Sequence, residues 1–492
     1  MGSSGEVVTY AELDATSNRF AQLLRARGIQ IGDTVALCFD NHPLFFALCW
    51  GAQRAGVVYV AISSRLTAPE IAYIARDSGS QLLISNTTFH AVLDEVALAT
   101  PELPQLRLGA NGGQDLMAAL AAMPATPIAD ERAGVDMLYS SGTTGKPKGV
   151  RVPLPEDPAI GAGNSLLDLA RGAFGFHQDS VYLSPAPLYH AAPLRWSLTV
   201  HRLGGTVVCM EKFDPELALQ LIERHRVSES QWVPTHFVRL LKLDPSVRQR
   251  YDLSSLRCAV HAAAPCPVPV KHAMIDWWGP VLREYYAGTE GNGFTFISSE
   301  EWLQRPGSVG RALLGTIRVC DEAGDEVLRG TEGQVFFEGG NPFQYHNDPD
   351  KTRDSTNKHG WTSLGDVGMQ DDEGYLFLTD RKSFMIISGG VNIYPQEIEN
   401  LLVTHPKVAD VAVIGAPDSD MGERVVAVVQ PVDIDQAGDA LADELREWLA
   451  PQLSRVKMPR QIDFRPDLPR EPTGKLFKRL LRDEYKAAAA NA

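Results

Sequence analysis

The tightest constraint on this fold lies near the start of the chain, where helical and strand-like segments alternate three times. Thr9-Tyr10-Ala11-Glu12 forms a capping box, in which the threonine hydroxyl and the glutamate carboxylate each satisfy a backbone N–H that a helix start leaves open. Leu13, Phe20 and Leu24 recur on one helical face until Gly28 ends the helix. A strand over 34–38 follows. A second helix, opened by Pro43, runs to Ala55 and leads into a strand over 57–60; a third, from Pro69, leads into 82–84. Strands separated by helices predict a parallel α/β layer.

After an Ala/Gly/Pro-rich surface connection over 108–134, strand patterns return at 206–209, 231–233, 257–260 and 281–286, with a helical pattern over 215–222 between them. This predicts a second α/β layer. Past Gly310, short strands at 316–320, 334–338 and 375–379 are separated by Gly and acidic turns, the texture of a small β-barrel or meander. From Pro395 a compact α+β pattern takes over, with helices over 397–403 and 441–449 and strands over 408–414 and 425–429. The expected fold is therefore α/β, with a large N-terminal domain of layered α/β subdomains plus a small β-barrel over 1–380. A small mobile α+β C-terminal domain over 381–492 follows. No internal repeat is evident, and only the Ala-rich tail after Lys486 is low in complexity.

A chain of 492 residues with 44% hydrophobic and 22% charged side chains is ordinary globular material, too long for one core. Its net charge of −15 repels nucleic acid and anionic membrane over most of the surface. The six cysteines, at 38, 49, 209, 258, 266 and 320, show no CxxC spacing and read as reduced core residues of a cytoplasmic protein. No basic-then-apolar leader opens the chain, and Met1-Gly2-Ser3-Ser4-Gly5 reads as an appended scar. The most apolar region, 44–62, is interrupted by Gln53, Arg54 and Gly56, so it reads as a helix feeding a strand and not a membrane span.

Chemistry concentrates first in Ser140-Ser141-Gly142-Thr143-Thr144-Gly145-Lys146-Pro147-Lys148-Gly149, which follows a strand-like 135–139. Glycines let backbone N–H groups converge on phosphate oxygens while Thr and Lys add donors. A P-loop is excluded: two residues, not four, separate Gly142 from Gly145, and Pro147 stands where that motif needs a Mg-binding hydroxyl. The stretch resembles the signature loop of the adenylate-forming superfamily, which includes acyl-CoA synthetases, adenylation domains of peptide synthetases and luciferases.

Further motifs extend the resemblance from about Thr9 to Tyr485. Tyr286-Ala287-Gly288-Thr289-Glu290 is similar to the family's Tyr-Gly-x-Thr-Glu, with Ala287 where glycine is usual. The resemblance implies that Tyr286 stacks on adenine, Thr289 bonds a phosphate, and Glu290, with Thr143, helps hold Mg²⁺. His261-Ala262-Ala263-Ala264-Pro265 resembles the segment whose backbone lies along the adenine and acyl pocket, implicating Ala263, Ala264 and Pro265. Gly360-Trp361-Thr362-Ser363-Leu364-Gly365-Asp366 matches the pattern in which the Asp accepts both ribose hydroxyls, as an ionised, acceptor-only side chain suits a vicinal diol. The longest match, 380–399, implies Arg381 on ribose and phosphate, a hinge at Ser383, and Ser388-Gly389-Gly390 entering the CoA path once the small domain turns. The family's usual Lys-Asp or Asp-Asp type hinge pair is replaced here by Ser383-Phe384. Lys475, in Pro472-Thr473-Gly474-Lys475, stands at the place of the family's catalytic lysine, where a cation offsets charge gathering as pyrophosphate leaves. His190, in Pro187-Leu188-Tyr189-His190, is implied to gate or position the acid and not to act as a base, since a carboxylate is already ionised at neutral pH.

The implied reaction joins a carboxylic acid to ATP, releases pyrophosphate, and passes the acyl group from the adenylate to CoA. ATP, Mg²⁺ and CoA are the expected small-molecule partners, nucleic acid is not, and a homodimer is allowed. CoA is favoured as acceptor over a discrete carrier protein because no carrier domain follows Ala492. A luciferase-like oxygenase and a non-catalytic nucleotide-binding relative are the remaining rivals. No Asp occurs in 232–237, where amino-acid adenylation domains commonly place an amine partner. Small residues Ala262, Ala264, Ala287 and Gly288, with Trp196, Trp232, His236 and Phe237 as lining, suggest a medium or long fatty acid or a bulky aromatic or steroid-type acid.

Overall fold

The computed structural model describes residues 1–86, 90–109, 115–140, 147–381, 383–470 and 476–490. The first layer is a five-stranded sheet in the order Gln105–Leu108, Ser80–Asn86, Thr34–Phe39, Val58–Ser63, Val135–Asp136. Every pairing in it is parallel, as the helix–strand alternation predicts. Thr34–Phe39 and Val58–Ser63 are buried along their whole length, because helices cover both faces of the sheet. Val35, Leu37 and Phe39 pack on the side of helices Tyr10–Ala26 and Pro43–Arg54, while Ala36, Cys38 and Val60 meet helix Ala68–Asp77. The expected connection over 108–134 also holds a short helix, Leu116–Ala121, whose N-cap Asp115 accepts from the Ala118 N–H and which buries Leu116 and Leu120.

The second layer is an eleven-stranded sheet. Its parallel half contains Val181–Ser184, Thr206–Cys209, Glu229–Trp232, Cys258–His261 and Leu282–Glu284. Its antiparallel half begins at Phe294–Ser298 and continues through Ser308–Leu314 into Leu376–Arg381. Here the expectation of a small β-barrel fails: among the described residues no strands close on themselves. Ser308–Leu314 pairs on both sides, so the short strands beyond Gly310 are spliced onto the edge of the large sheet. Alternation of apolar and polar residues specifies a strand but not its neighbour.

Helix Ala191–Leu203 lies between the layers. Leu194 and Leu198 belong to the core of the first sheet, Trp196 and Val200 to that of the second. The boundary expected at 380/381 falls on the last residues of strand Leu376–Arg381. Beyond it, Val408–Asp418 and Gly422–Pro431 form a long hairpin joined by Ile386–Ser388, Val391–Ile393 and Gln461–Phe464. Their core is filled by helices Pro395–Leu402 and Asp439–Leu449. A buried pair, Lys478 to Glu399 at 2.7 Å, fastens the last helix, Lys478–Ala490.

Residues 1–5 are tied to the body of the protein. The Gly2 N–H donates to the Cys209 carbonyl at 2.7 Å, and the Ser3 and Ser4 N–H groups donate to the Glu211 carboxylate at 2.7 and 2.9 Å. All six cysteines are free thiols, five of them buried and Cys266 partly exposed. Among the described residues no helix is long and apolar enough to cross a membrane.

Candidate active site

Strands Leu138–Ser140 and Lys148–Arg151 are antiparallel, with Ser140 opposite Lys148, so the two ends of the signature stretch are fixed as one hairpin. The residues between them, Ser141, Gly142, Thr143, Thr144, Gly145 and Lys146, lie outside the described residues, as does Lys475. Gln344–Tyr345 adds a third strand on the outer side. The Lys148 ammonium donates to Asp348, which holds the lysine above its usual range and is itself held below the usual carboxylate range. Asp348 also caps helix Pro349–Asp354. Tyr139 donates to Asp77 at 2.7 Å, tying the hairpin to the first layer.

A second group converges on Asp366. Strand pairing sets Asp366 opposite Arg381, and Arg381 Nε donates to Asp366 Oδ1 at 3.1 Å. The Tyr286 hydroxyl donates to Asp366 Oδ2 at 2.6 Å while its ring lies over Phe337, 6.1 Å between centroids. Burial and then the Asp366 charge push the Tyr286 phenol well above its ordinary range, so it remains a donor. The predicted adenine, ribose and phosphate residues Tyr286, Asp366 and Arg381 are thus neighbours in space.

Glu290 is 8% exposed, and its Oε1 accepts from the Tyr345 hydroxyl at 2.8 Å. Tyr345 sits on the strand paired to the hairpin, so the carboxylate is connected to the signature stretch. Its other oxygen lies against Gly288, where a Cβ would come within 2.5 Å of Glu290 Oε2 and 2.8 Å of Leu364, so a side chain there would push both tips aside. Thr289 offers its carbonyl to Arg195 NH1 at 3.0 Å, and Arg195 NH2 donates to Asp136 at 2.8 Å. Among the described residues no three His, Cys, Asp or Glu side chains converge on a metal position.

Ala263 and Ala264 are exposed and follow the buried strand Cys258–His261. Ala263 has φ of 77°, a left-handed conformation that strains any residue with a Cβ. Pro265 is partly exposed, and Ala287 packs partly buried against the cluster containing Tyr285 and Phe294. His190 is the N-cap residue of helix Ala191–Leu203, its ring 4.7 Å from that of Tyr189. Ser388 ends a strand whose two-residue turn is Gly389-Gly390, with φ of 57° and 79°. Successive positive φ values are what a tight hairpin needs and what glycine supplies. No hydrogen bond or ion pair among the described residues links this turn to Tyr286, Glu290 or Asp366. The Ser383 carbonyl accepts from Arg482 at 3.0 Å.

The expected aromatic lining is corrected. Trp232 and Phe237 are fully buried against Trp278, at 5.3 and 5.9 Å. Trp196 packs 4.9 Å from Phe174 and donates to Tyr285. His236 stacks on Phe213 at 4.0 Å. These rings fill the space between sheet and helices. Sequence reasoning also missed Tyr345, Asp348, Asp136 and Arg195. Arg195 carried a usable signal, a charge between Leu194 and Trp196 in an otherwise apolar helix face.

The AMP-binding enzyme family matches residues 2–344, and the AMP-binding enzyme C-terminal domain matches residues 397–475. The long-chain-fatty-acid–CoA ligase FadD13 of Mycobacterium tuberculosis is 35% identical over 491 residues, covering 98% of this chain and 93% of that protein. A feruloyl-CoA synthase from Amycolatopsis is 34% identical, covering 98% and 94%. The ATP-bound crystal structure of MatB from Rhodopseudomonas palustris superposes with a TM-score of 0.83 at 30% identity, covering 99% and 95%. Both parts of the sequence and the whole architecture agree, and the chain belongs to the AMP-binding enzymes, the adenylate-forming superfamily that includes the acyl-CoA synthetases.

Proposed function

We infer that the chain activates a carboxylic acid with ATP and transfers the acyl group to CoA, and that the convergence of Tyr286, Asp366 and Arg381 beside Glu290 is the ATP site. Tyr286 would lie along adenine. Asp366 now accepts from Tyr286 and Arg381 with one oxygen each, and a ribose diol offers the same two donors, so binding is an exchange of partners. Ser140, Thr143, Thr144, Lys146 and Lys148 grip the leaving phosphates, with Lys148 released from Asp348. Mg²⁺ would be held by Glu290 with Thr143, where it would neutralise phosphate charge. Lys475 and Thr289 complete the electrostatic clamp, and His190 positions the acid.

A carboxylate oxygen forms a bond to the α-phosphorus while the bond to the bridging oxygen breaks, and pyrophosphate carries away that electron pair. Turning of residues 381–492 about the 380/381 boundary near Ser383 then brings Ser388, Gly389 and Gly390 to the CoA path. The thiol sulfur bonds to the acyl carbon, AMP leaves, and the thiol proton passes to solvent. The chemistry is positioning and electrostatics throughout.

A medium or long fatty acid or a bulky aromatic acid is the substrate class we favour, supported by relatives named for long-chain fatty acids and ferulate. Pyrophosphate exchange across a panel of acids, followed by CoA-dependent AMP release, tests the reading. Exchange with one of these classes and thioester formation without any carrier protein is expected. Silence with every acid, or a requirement for a carrier protein, overturns it.

A further inference from the structure

We propose that Arg195 is a positioning residue for Mg·ATP, holding strand Val135–Asp136, which leads into Leu138–Ser140 and the signature stretch, and the Thr289–Glu290 turn in one frame. The proposal rests on the acid-activation reading above. Three of the five guanidinium N–H groups are used. Nε and NH2 donate to Asp136 Oδ2 at 3.1 and 2.8 Å, and NH1 donates to the Thr289 carbonyl at 3.0 Å. Asp136 lies at the edge of the first sheet, four residues before Ser140. Thr289 lies beyond the end of strand Leu282–Glu284 in the second sheet and directly precedes Glu290. One side chain thus spans both layers at the two stretches that must meet the same triphosphate.

The helix bearing Arg195 gives this brace its rigidity. Pro193, Leu194, Trp196, Ser197, Leu198, Thr199 and Val200 are all buried, so the helix cannot shift without disturbing both cores. The arginine and aspartate side chains are 26% and 17% exposed, so the pair is largely shielded from solvent screening. The Thr289 carbonyl that Arg195 holds belongs to the residue directly before Glu290, so the guanidinium fixes the backbone from which the proposed Mg²⁺ carboxylate springs. A lysine could satisfy Asp136 but offers no planar fork to reach the Thr289 carbonyl at the same time.

The test compares Arg195→Gln and Arg195→Lys with the wild-type full chain. Amide hydrogen exchange in 138–140, 148–151 and 289–294 is expected to rise at least fivefold in Arg195→Gln, with Arg195→Lys intermediate and 268–278 unchanged. KM for Mg·ATP in pyrophosphate exchange should rise at least tenfold, with KM for the acid within twofold of wild type. Unchanged exchange in those three segments overturns the proposal, and so does a fall in kcat with both KM values unchanged. Should Arg195→Gln fail to fold, Asp136→Asn/Arg195→Gln leaves no unpaired charge and is read the same way. A wild-type chain silent with every acid contradicts the functional reading, while the hydrogen-exchange arm still decides whether the brace exists.

Discussion

Two arginine–aspartate pairs flank Glu290, and they are built on opposite terms. Arg381 meets Asp366 across paired strands through one bond of 3.1 Å, its side chain 34% exposed at the end of its strand. The other partner of Asp366 is the Tyr286 hydroxyl, so both donors are side-chain tips that can swing away. Arg195 makes three bonds from a helix locked between two cores, and one of them ends on a backbone carbonyl. On the proposed reading, the same ion-pair chemistry serves exchange in one place and framing in the other. What distinguishes them is whether the partners are free to leave.

Substitutions should separate the two roles, beginning with the largest effect. Asp366→Ala would remove the two charge-assisted hydrogen bonds proposed to the ribose, each worth about 1.5–3 kcal/mol, so kcat/KM for ATP should fall roughly 10²- to 10⁴-fold. Asp136→Ala should instead appear first in denaturant unfolding, at about 2–3 kcal/mol, because it leaves a partly buried arginine unpaired. Equal losses of stability at both positions would erase the distinction. Arg381→Lys keeps a point charge but loses the planar fork, and about a tenfold loss in kcat/KM for ATP is expected from steady-state kinetics.

Acidification probes the far end of the Arg195 helix. Burial pushes His201 down to about 4, and its Nδ1 accepts from Trp50 at 3.2 Å, so the folded state holds it neutral. The unfolded chain binds that proton near pH 6.5 and the folded chain only near pH 4, so its stabilisation is intact above 6.5 and lost as pH falls toward 4. Roughly 2 kcal/mol should disappear between pH 6.5 and 5. His201→Gln should flatten that limb of a Tm-versus-pH curve; an unchanged limb would place the titration elsewhere. The smallest effect is expected at Ala263, where φ of 77° strains a Cβ. Ala263→Gly should raise unfolding free energy by up to about 1 kcal/mol, and a loss in chemical denaturation would show that the strain is not carried there.

Much of this was legible in the sequence, for identifiable reasons. Tyr286, Glu290, Asp366 and Arg381 sit in contiguous motifs at strand ends, where local pattern and chemistry coincide. The first sheet was readable because fully buried parallel strands alternate with capped helices. The bracing pairs were not readable. Asp136–Arg195, Glu290–Tyr345 and Lys148–Asp348 join residues 59, 55 and 200 positions apart, and nothing in local spacing encodes such partners. The barrel expectation failed for the same cause, since pairing is a tertiary choice. The aromatic lining failed because a tryptophan at a strand end serves core and pocket equally well, and here Trp232 went to the core.

Isotope transfer tests the central claim most directly. With the best acid from the exchange panel labelled with ¹⁸O in its carboxylate, the full chain is incubated with ATP, Mg²⁺ and CoA, and the nucleotide product is weighed by mass spectrometry. The account predicts AMP carrying one ¹⁸O atom from the acid, because the acyl-adenylate passes its carboxylate oxygen to the α-phosphate when the thiol displaces AMP. ADP with labelled inorganic phosphate, or unlabelled AMP, would contradict it.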